Sequence, residues 1–414
     1  MREKADSELV RRQNRRIVLE TLRQHGPLAR IELGRQTGLS PASMTSITGQ
    51  LIVEGLVQEL NEAVLLPEKL KRGRPLVRLD LNPAAASILM VKISIDGIEL
   101  VLADFRGAIG LREVLHISIH DTDAGEFGHV VAREIGKFLT KKRVKRRAVT
   151  RIAIAVQGLA DSQAGTIVWS PAFSARNIPV CKPVMRELGI HCTIANDANM
   201  IGEGLVSLNP TRYSGTSAVI FMGYGVGMGL IINGSVYHGA TGAAAEFGHM
   251  NHVPGGPLCR CGRRGCVEAY AADYGIRRTS EGGSESTPPP LSAVPEEAML
   301  RIEDAARRGN KRARLAFAKA GEALGYGIAR LIALLSPEHV TLTGPGTRAF
   351  ALIEPSLRQA IDDGVVDTLR SNVDLDVVPI ATDMIVKGTI DEALRHLDRE
   401  MLAGGNPYPM EKIA

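Results

Sequence analysis

No apolar run in the 414-residue chain approaches the roughly 20 residues that would cross a bilayer, and the opening MREKADSELVRRQNRR lacks the apolar core of a signal peptide. No membrane partner is expected, and the expected compartment is the cytoplasm. Cysteine is scarce, at five residues. Disulfides are disfavoured in a reducing compartment, so Cys181 and Cys192 read as ordinary thiols and the clustered remainder as candidates for metal. Low-complexity sequence is confined to short pieces, and 44% hydrophobic with 23% charged residues is a globular composition. The length suggests about two or three domains.

A one-signed charge is also lacking over most of the chain. Residues 1–80 hold 14 Lys+Arg against 10 Asp+Glu, and the remainder 36 against 35. A basic N-terminal segment on a near-neutral body hints at a polyanion partner. The patterning there is more informative. Leu9, Val10, Ile17, Val18 and Leu22 fall at helical spacing up to a His25-Gly26-Pro27 stop. A short helix LARIELGRQT closes on Gly38, and a third starts with Ser40 as N-cap and Pro41 at its first position. In the third helix Met44, Ile47, Leu51 and Leu56 can face inward, leaving Ser43, Ser46 and Gln50 outside as small polar groups able to reach base edges.

The next segment reads as two strands around a loop tipped by Lys71-Arg72-Gly73-Arg74-Pro75. Arg72 and Arg74 on such a wing suit a narrow, electronegative minor groove. Three helices alone would also fit a bundle; the ordered set of short second helix, Ser-Pro start, strand pair and Arg-Gly-Arg-Pro tip points to a winged helix-turn-helix and operator DNA. The basic run KKRVKRR at 141–147 lies between a helical stretch and a strand, and reads as a solvated helix end.

From residue 86 onward strands and helices alternate, as in an α/β protein, and two strand-rich halves suggest two lobes with a cleft between them. The Pro-, Ser- and Gly-rich stretch at 279–295 reads as a mobile surface loop. CRCGRRGC at 259–266 gathers Cys259, Cys261 and Cys266 within eight residues. Gly262 and Gly265 let such a chain fold around an ion, and His249 and His252 are both near enough in sequence to supply a fourth ligand.

GYGVGMGLIINGSVYHGATGAAAEFGHM followed by CRCGRRGCVE, with NDAN upstream, resembles the ROK family of repressors, open reading frames and sugar kinases. The helix-turn-helix and RGRP in front resemble the family's sugar-responsive repressor branch, the kind that includes N-acetylglucosamine and xylose repressors. The resemblance covers nearly the whole chain. It implies an N-terminal winged helix-turn-helix (1–82) followed by a two-lobed, actin-like sugar-kinase fold of the ribonuclease H-like ATPase type. Its first lobe would span 83–195, completed by a C-terminal helix at 385–400, and its second lobe 196–384. It also implies a homodimer or dimer of dimers.

By the same resemblance His249, in its Glu-x-Gly-His context, joins the three cysteines around a structural Zn²⁺ with no open position. Gly158, Asn196, Asp197, Glu246, His249 and Glu268 would contact a sugar or sugar phosphate. Gln157 stands where the family usually has proline. In the family's kinases the aspartate of NDAN, here Asp197, is the general base. Their phosphate turn reads roughly D-x-G-G-T, whereas Ser94, Asp96 and Ile98 replace its acid, first glycine and threonine, and Tyr224 replaces a small hydroxyl residue in the second glycine loop. A sugar site beside a damaged phosphate site implies a sensor without catalytic residues. A sugar kinase is the alternative. A third role in this branch is binding a transport protein.

Overall fold

The structure, a computed structural model, describes residues 2–60, 77–370, 373–379 and 383–402. Its N-terminal helices are α1 (Arg2–His25), α2 (Arg30–Thr37) and α3 (Pro41–Val53). The Ser40 side chain accepts the Ser43 amide at 3.2 Å and Pro41 opens α3, which is why the turn and helix begin there. Met44, Ile47, Leu51 and Leu56 are buried. Ser46 is exposed; Ser43 and Gln50 are half-buried, so the outward face of α3 is narrower than its spacing suggested. Strands β1 (Leu28–Ala29), β2 (Val57–Leu60) and β3 (Arg78–Leu81) form an antiparallel sheet in the order β1-β3-β2. The expected wing tip with Arg72 and Arg74 lies outside the described residues.

Strands β4 (Ser87–Ser94), β5 (Gly97–Asp104) and β6 (Ile109–Leu115) make a meander, followed by α4 (Ala124–Lys141) and β7 (Arg151–Val156). A small sheet of β8 (Leu159–Asp161), β9 (Thr166–Trp169) and β10 (Ile178–Pro179) precedes α5 (Cys181–Leu188) and β11 (His191–Asn196). The resulting sheet has the order β11-β7-β4-β5-β6, with β4, β7 and β11 parallel. Every residue of β7 is buried, as the apolar run after Arg151 requires of a central parallel strand.

After α6 (Asp197–Leu208) the pattern repeats. Strands β12 (Ser217–Met222), β13 (Val226–Ile232) and β14 (Ser235–Val236) make a second meander. Helices α7 (Glu268–Ala271), α8 (Asp273–Glu281), α9 (Glu296–Arg307) and α10 (Lys311–Leu335) lead to β15 (His339–Thr343). Then come α11 (Phe350–Gly364), α12 (Asp367–Arg370), β16 (Asp374–Val378) and α13 (Asp383–Leu402). The sheet order is β14-β13-β12-β15-β16, with β12, β15 and β16 parallel, which is the topology of the first sheet again.

Helix α13 ties the parts together. It crosses α6 so closely that a Cβ on Gly388 would lie 1.7 Å from the Met200 carbonyl oxygen, and Ile390, Leu394 and Leu397 share one core with Ile88 and Met90 of β4 and with Leu19 and Leu22 of α1. Arg23 of α1 grips Asp398 of α13 in a bidentate pair (2.7 and 3.2 Å) whose carboxylate is fully buried.

Two surface expectations meet different outcomes. The basic run after α4 is largely exposed, as a solvated helix end should be. The stretch at 279–295 begins as the end of α8; most of the rest is exposed but pinned. The Leu258 amide donates to the Glu285 carbonyl (2.8 Å), and Arg264 to Ser286 Oγ (3.0 Å). The expected surface loop therefore touches the cysteine block at Glu285 and Ser286. Among the described residues no helix is long and apolar enough to cross a membrane.

Candidate sugar cleft and metal centre

The second lobe's loop after β14 turns back at Ala245, held at φ +67°, and delivers Glu246 and His249 to one wall of a cleft. Asp197 and Asn196 come from the β11–α6 junction, Gly158 from the turn after β7, and Glu268 from the start of α7. All six residues expected to bind sugar therefore line one cavity.

Their free valences differ. Asn196 Oδ1 caps α6 by accepting from Ala198 N (2.8 Å) and Asn199 N (3.2 Å), while Nδ2 donates to the Gly158 carbonyl. The amide is engaged at both ends, so Asn196 positions its neighbours. Gly158 has φ +116°, and a Cβ there would sit 2.5 Å from the Trp169 carbonyl oxygen; only glycine fits. Glu268 is buried and likewise engaged: Oε2 accepts from Val226 N (3.2 Å) and Oε1 from the Tyr274 hydroxyl (3.2 Å). It locks the cysteine block onto β13. Glu246 Oε2 lies 3.9 Å from His249 Nε2, and burial pushes the Glu246 carboxyl up. Asp197 is pushed up to about 6 by burial, against the opposing hydrogen bond from Tyr224.

Four residues that sequence reasoning did not place in the cleft also line it. Trp169, the chain's single tryptophan, meets the His249 ring edge-on at 5.4 Å. Nothing in its local sequence marked it. Tyr224 donates to Asp197 Oδ2 (3.2 Å), and with Ile201 and Phe221 it separates the cleft from a second cavity. Arg260 Nη1 donates to the Tyr224 carbonyl (2.6 Å). Gln157, the residue standing for proline, reaches back to the first meander and accepts the Ile95 amide at 3.2 Å.

The second cavity lies where strand turns of both lobes face each other. In the β4–β5 turn the Ile95 amide is held by Gln157 Oε1 and the Asp96 amide by Ser94 Oγ (3.3 Å). The cavity wall carries Asp96, Asp273 and Glu296 against Lys92 and Arg348. Arg348 is itself committed to Glu303 (2.6 Å) and the Pro345 carbonyl (2.8 Å). Neither a donated amide nor an uncommitted guanidinium is offered to a phosphate among these groups.

The cysteine block closes on itself. Sγ atoms of Cys259, Cys261 and Cys266 and a ring nitrogen of His249 all lie within 4.8 Å of one another. Nδ1 of His249 faces Cys259 Sγ at 3.7 Å, which leaves Nε2 turned toward Glu246 and the cleft. His252, the other candidate, stands apart between Tyr270 and Tyr326. Hydrogen bonds within the block drive Cys261 toward thiolate and push Cys259 the other way; a cation would favour the thiolate of each. The donor set and its convergence fit a tetrahedral metal ion with all positions filled by protein.

A sequence model described as the ROK family matches residues 91–383. Among curated proteins the chain is 26% identical over 390 residues to a xylose repressor of Caldicellulosiruptor bescii, covering 92% of this chain and 95% of that one. Among solved structures it resembles a ROK family transcriptional regulator, a homolog of the E. coli MLC protein, with a TM-score of 0.75, 26% identity, and 95% and 98% of the two chains covered. It shares its fold with a ROK family glucokinase of Streptomyces griseus at a TM-score of 0.57 and 22% identity, covering 74% of this chain and 99% of the glucokinase.

Proposed function

Because the chain belongs to the ROK family, we propose that it is a sugar-responsive transcriptional repressor of carbohydrate genes that does not phosphorylate its sugar. The observation that carries this reading is the pairing of a cleft rich in carboxylates and imidazole with a phosphate turn whose Ile95 and Asp96 amides are already bonded to side chains. Phosphoryl transfer depends mainly on positioning and charge neutralisation, which that turn does not supply.

Asp197, Glu246 and His249 Nε2 hold open acceptor and donor capacity for sugar hydroxyls, and Gly158 lets the backbone approach the ring. Asn196 and Glu268 hold these groups in place. Zn²⁺ on His249, Cys259, Cys261 and Cys266 is structural; when bound it fixes the loop and the tautomer of His249. The effector is an unphosphorylated sugar, since Asp197, Glu246 and Glu268 outnumber Arg260, which is held by the Tyr224 carbonyl. Asp197 is the one feature that would suit a kinase, and its Oδ2 already accepts from Tyr224.

DNA contact falls to the α1–α3 unit, with Ser43, Ser46 and Gln50 reading bases and Arg72 and Arg74 on the wing. A dimer or dimer of dimers would set two such units on a pseudo-palindromic operator. Sugar alters affinity only if it binds the two lobe arrangements unequally. The test is a mobility-shift titration on duplexes the protein selects from a random pool, with and without monosaccharides. One sugar should change affinity about 5- to 150-fold; selected duplexes held no tighter than random DNA would refute the reading.

A further inference from the structure

We infer a second divalent-cation site, built from Glu203, His238 and Glu392 and separate from the cysteine block. His238 Nε2 lies 3.6 Å from Glu203 Oε1 and 3.7 Å from Glu392 Oε1, and the three ligand atoms all lie within 4.8 Å of one another. These separations are longer than hydrogen bonds. They match the edge of a tetrahedron about a metal, since ligand bonds of about 2.1 Å give edges of about 3.4 Å.

The surroundings behave as an outer layer of hydrogen bonds would. Arg395 binds the other oxygen of Glu203, Oε2, and itself donates to Ser207 Oγ at 3.2 Å, so Glu203 presents Oε1 in a fixed direction. Glu203 is 8% exposed, while His238 and Glu392 are half-buried at the floor of an open groove whose far side is Arg16 and Glu20 of α1. An ion can enter from that groove. Two carboxylates and one imidazole, with a fourth position open to water, suit zinc or manganese and contrast with the sulfur-rich, closed block of the first site.

The three ligands come from three separate elements. Glu203 lies on α6, whose N-terminus holds Asp197. His238 starts the loop that ends in His249. Glu392 lies on α13, whose Asp398 grips α1 through Arg23. A cation here staples the cleft loop to the helix that carries the N-terminal unit. The binding claim does not depend on the repressor reading.

The full chain, carrying its first metal, is dialysed against a mild chelator and titrated with Zn²⁺ and, separately, Mn²⁺ by calorimetry, with elemental analysis after desalting. Co²⁺ gives a spectroscopic arm, because thiolate-bound cobalt shows intense charge-transfer bands that an oxygen and nitrogen site lacks. The wild type should take up one further equivalent without new thiolate bands. His238→Gln and Glu392→Gln, both at half-buried positions, should bind that equivalent at least about tenfold more weakly while melting like the metal-free wild type. Retention of only the thiolate-bound equivalent in the wild type would overturn the proposal and leave His238 as an imidazolium between two carboxylates. A second equivalent that survives both substitutions would overturn it equally.

Discussion

The two five-stranded sheets have one topology, and the first turns of their meanders occupy equivalent places, yet the two turns have been filled in different ways. In the first lobe the β4–β5 turn has its Ile95 and Asp96 amides taken by Gln157 and Ser94, with a carboxylate at 96. In the second lobe the β12–β13 turn keeps its glycines at 223 and 225 and drops Tyr224 onto Asp197. In one turn these amides are bonded to side chains, whereas the other walls off and orders the candidate sugar cleft. On the proposed reading one backbone keeps a binding site without the reaction, and fold alone would not decide function.

The largest effect should come from removing the second lobe's anchor. Cys261→Ser should abolish stoichiometric metal and, because structural zinc contributes folding energy outright, lower the melting temperature and the sugar response together; thermal melts and elemental analysis check this. Next comes the contrast inside the cleft. Glu246→Ala should weaken sugar binding by about 1.5–3 kcal/mol, the range for hydrogen bonds to charged groups, with little change in melting temperature. Glu268→Ala should lose affinity and stability together, since Val226 N and the Tyr274 hydroxyl lose their acceptor. Calorimetry beside thermal melts separates the two.

A third effect is set by pH. Burial holds the Asp197 carboxyl up at about 6, so a sugar that needs the carboxylate should bind about tenfold more weakly one unit below that value. The free protein should respond in the opposite direction. With its folded value above the unfolded one, Asp197 contributes stability that is present below the ordinary aspartate range and lost as pH rises through about 6. Affinity rising and apo stability falling over one window is the signature; parallel trends would contradict it. The smallest effect belongs to Tyr224→Phe, which removes one hydroxyl donor from Asp197 and should change sugar affinity by about 0.5–1.5 kcal/mol.

What could be read from the sequence is what local chemistry encodes. Ser40-Pro41 marks the start of α3, and the Asn196-Asp197 junction caps α6 as a strand-to-helix turn should. Cysteine spacing with tight-turning glycines located the metal block, and the family pattern chose His249 over His252. The parts that escaped are long-range. Gln157 meets Ile95 across 62 residues, Trp169 meets His249 across 80, and Asn196 turned out to be engaged by its own helix cap and Gly158. Pro, Ser and Gly content marks 279–295 as a surface stretch but says nothing about where its donors and acceptors end up, so its bonds to Leu258 and Arg264 could not be read. The triad of Glu203, His238 and Glu392 has no spacing signal, as its members lie on three separate elements.

The central claim, that the protein binds a sugar without transferring phosphate to it, is tested most directly by one paired measurement. Aldohexoses, N-acetylhexosamines and pentoses are screened by the fluorescence of Trp169, which as the single tryptophan reports the cleft alone, and the same samples are assayed for ADP release with ATP and Mg²⁺. At least one sugar should shift the fluorescence saturably while ADP release stays at background; turnover of that sugar at ordinary kinase rates, about 1 to 100 per second, would contradict the account.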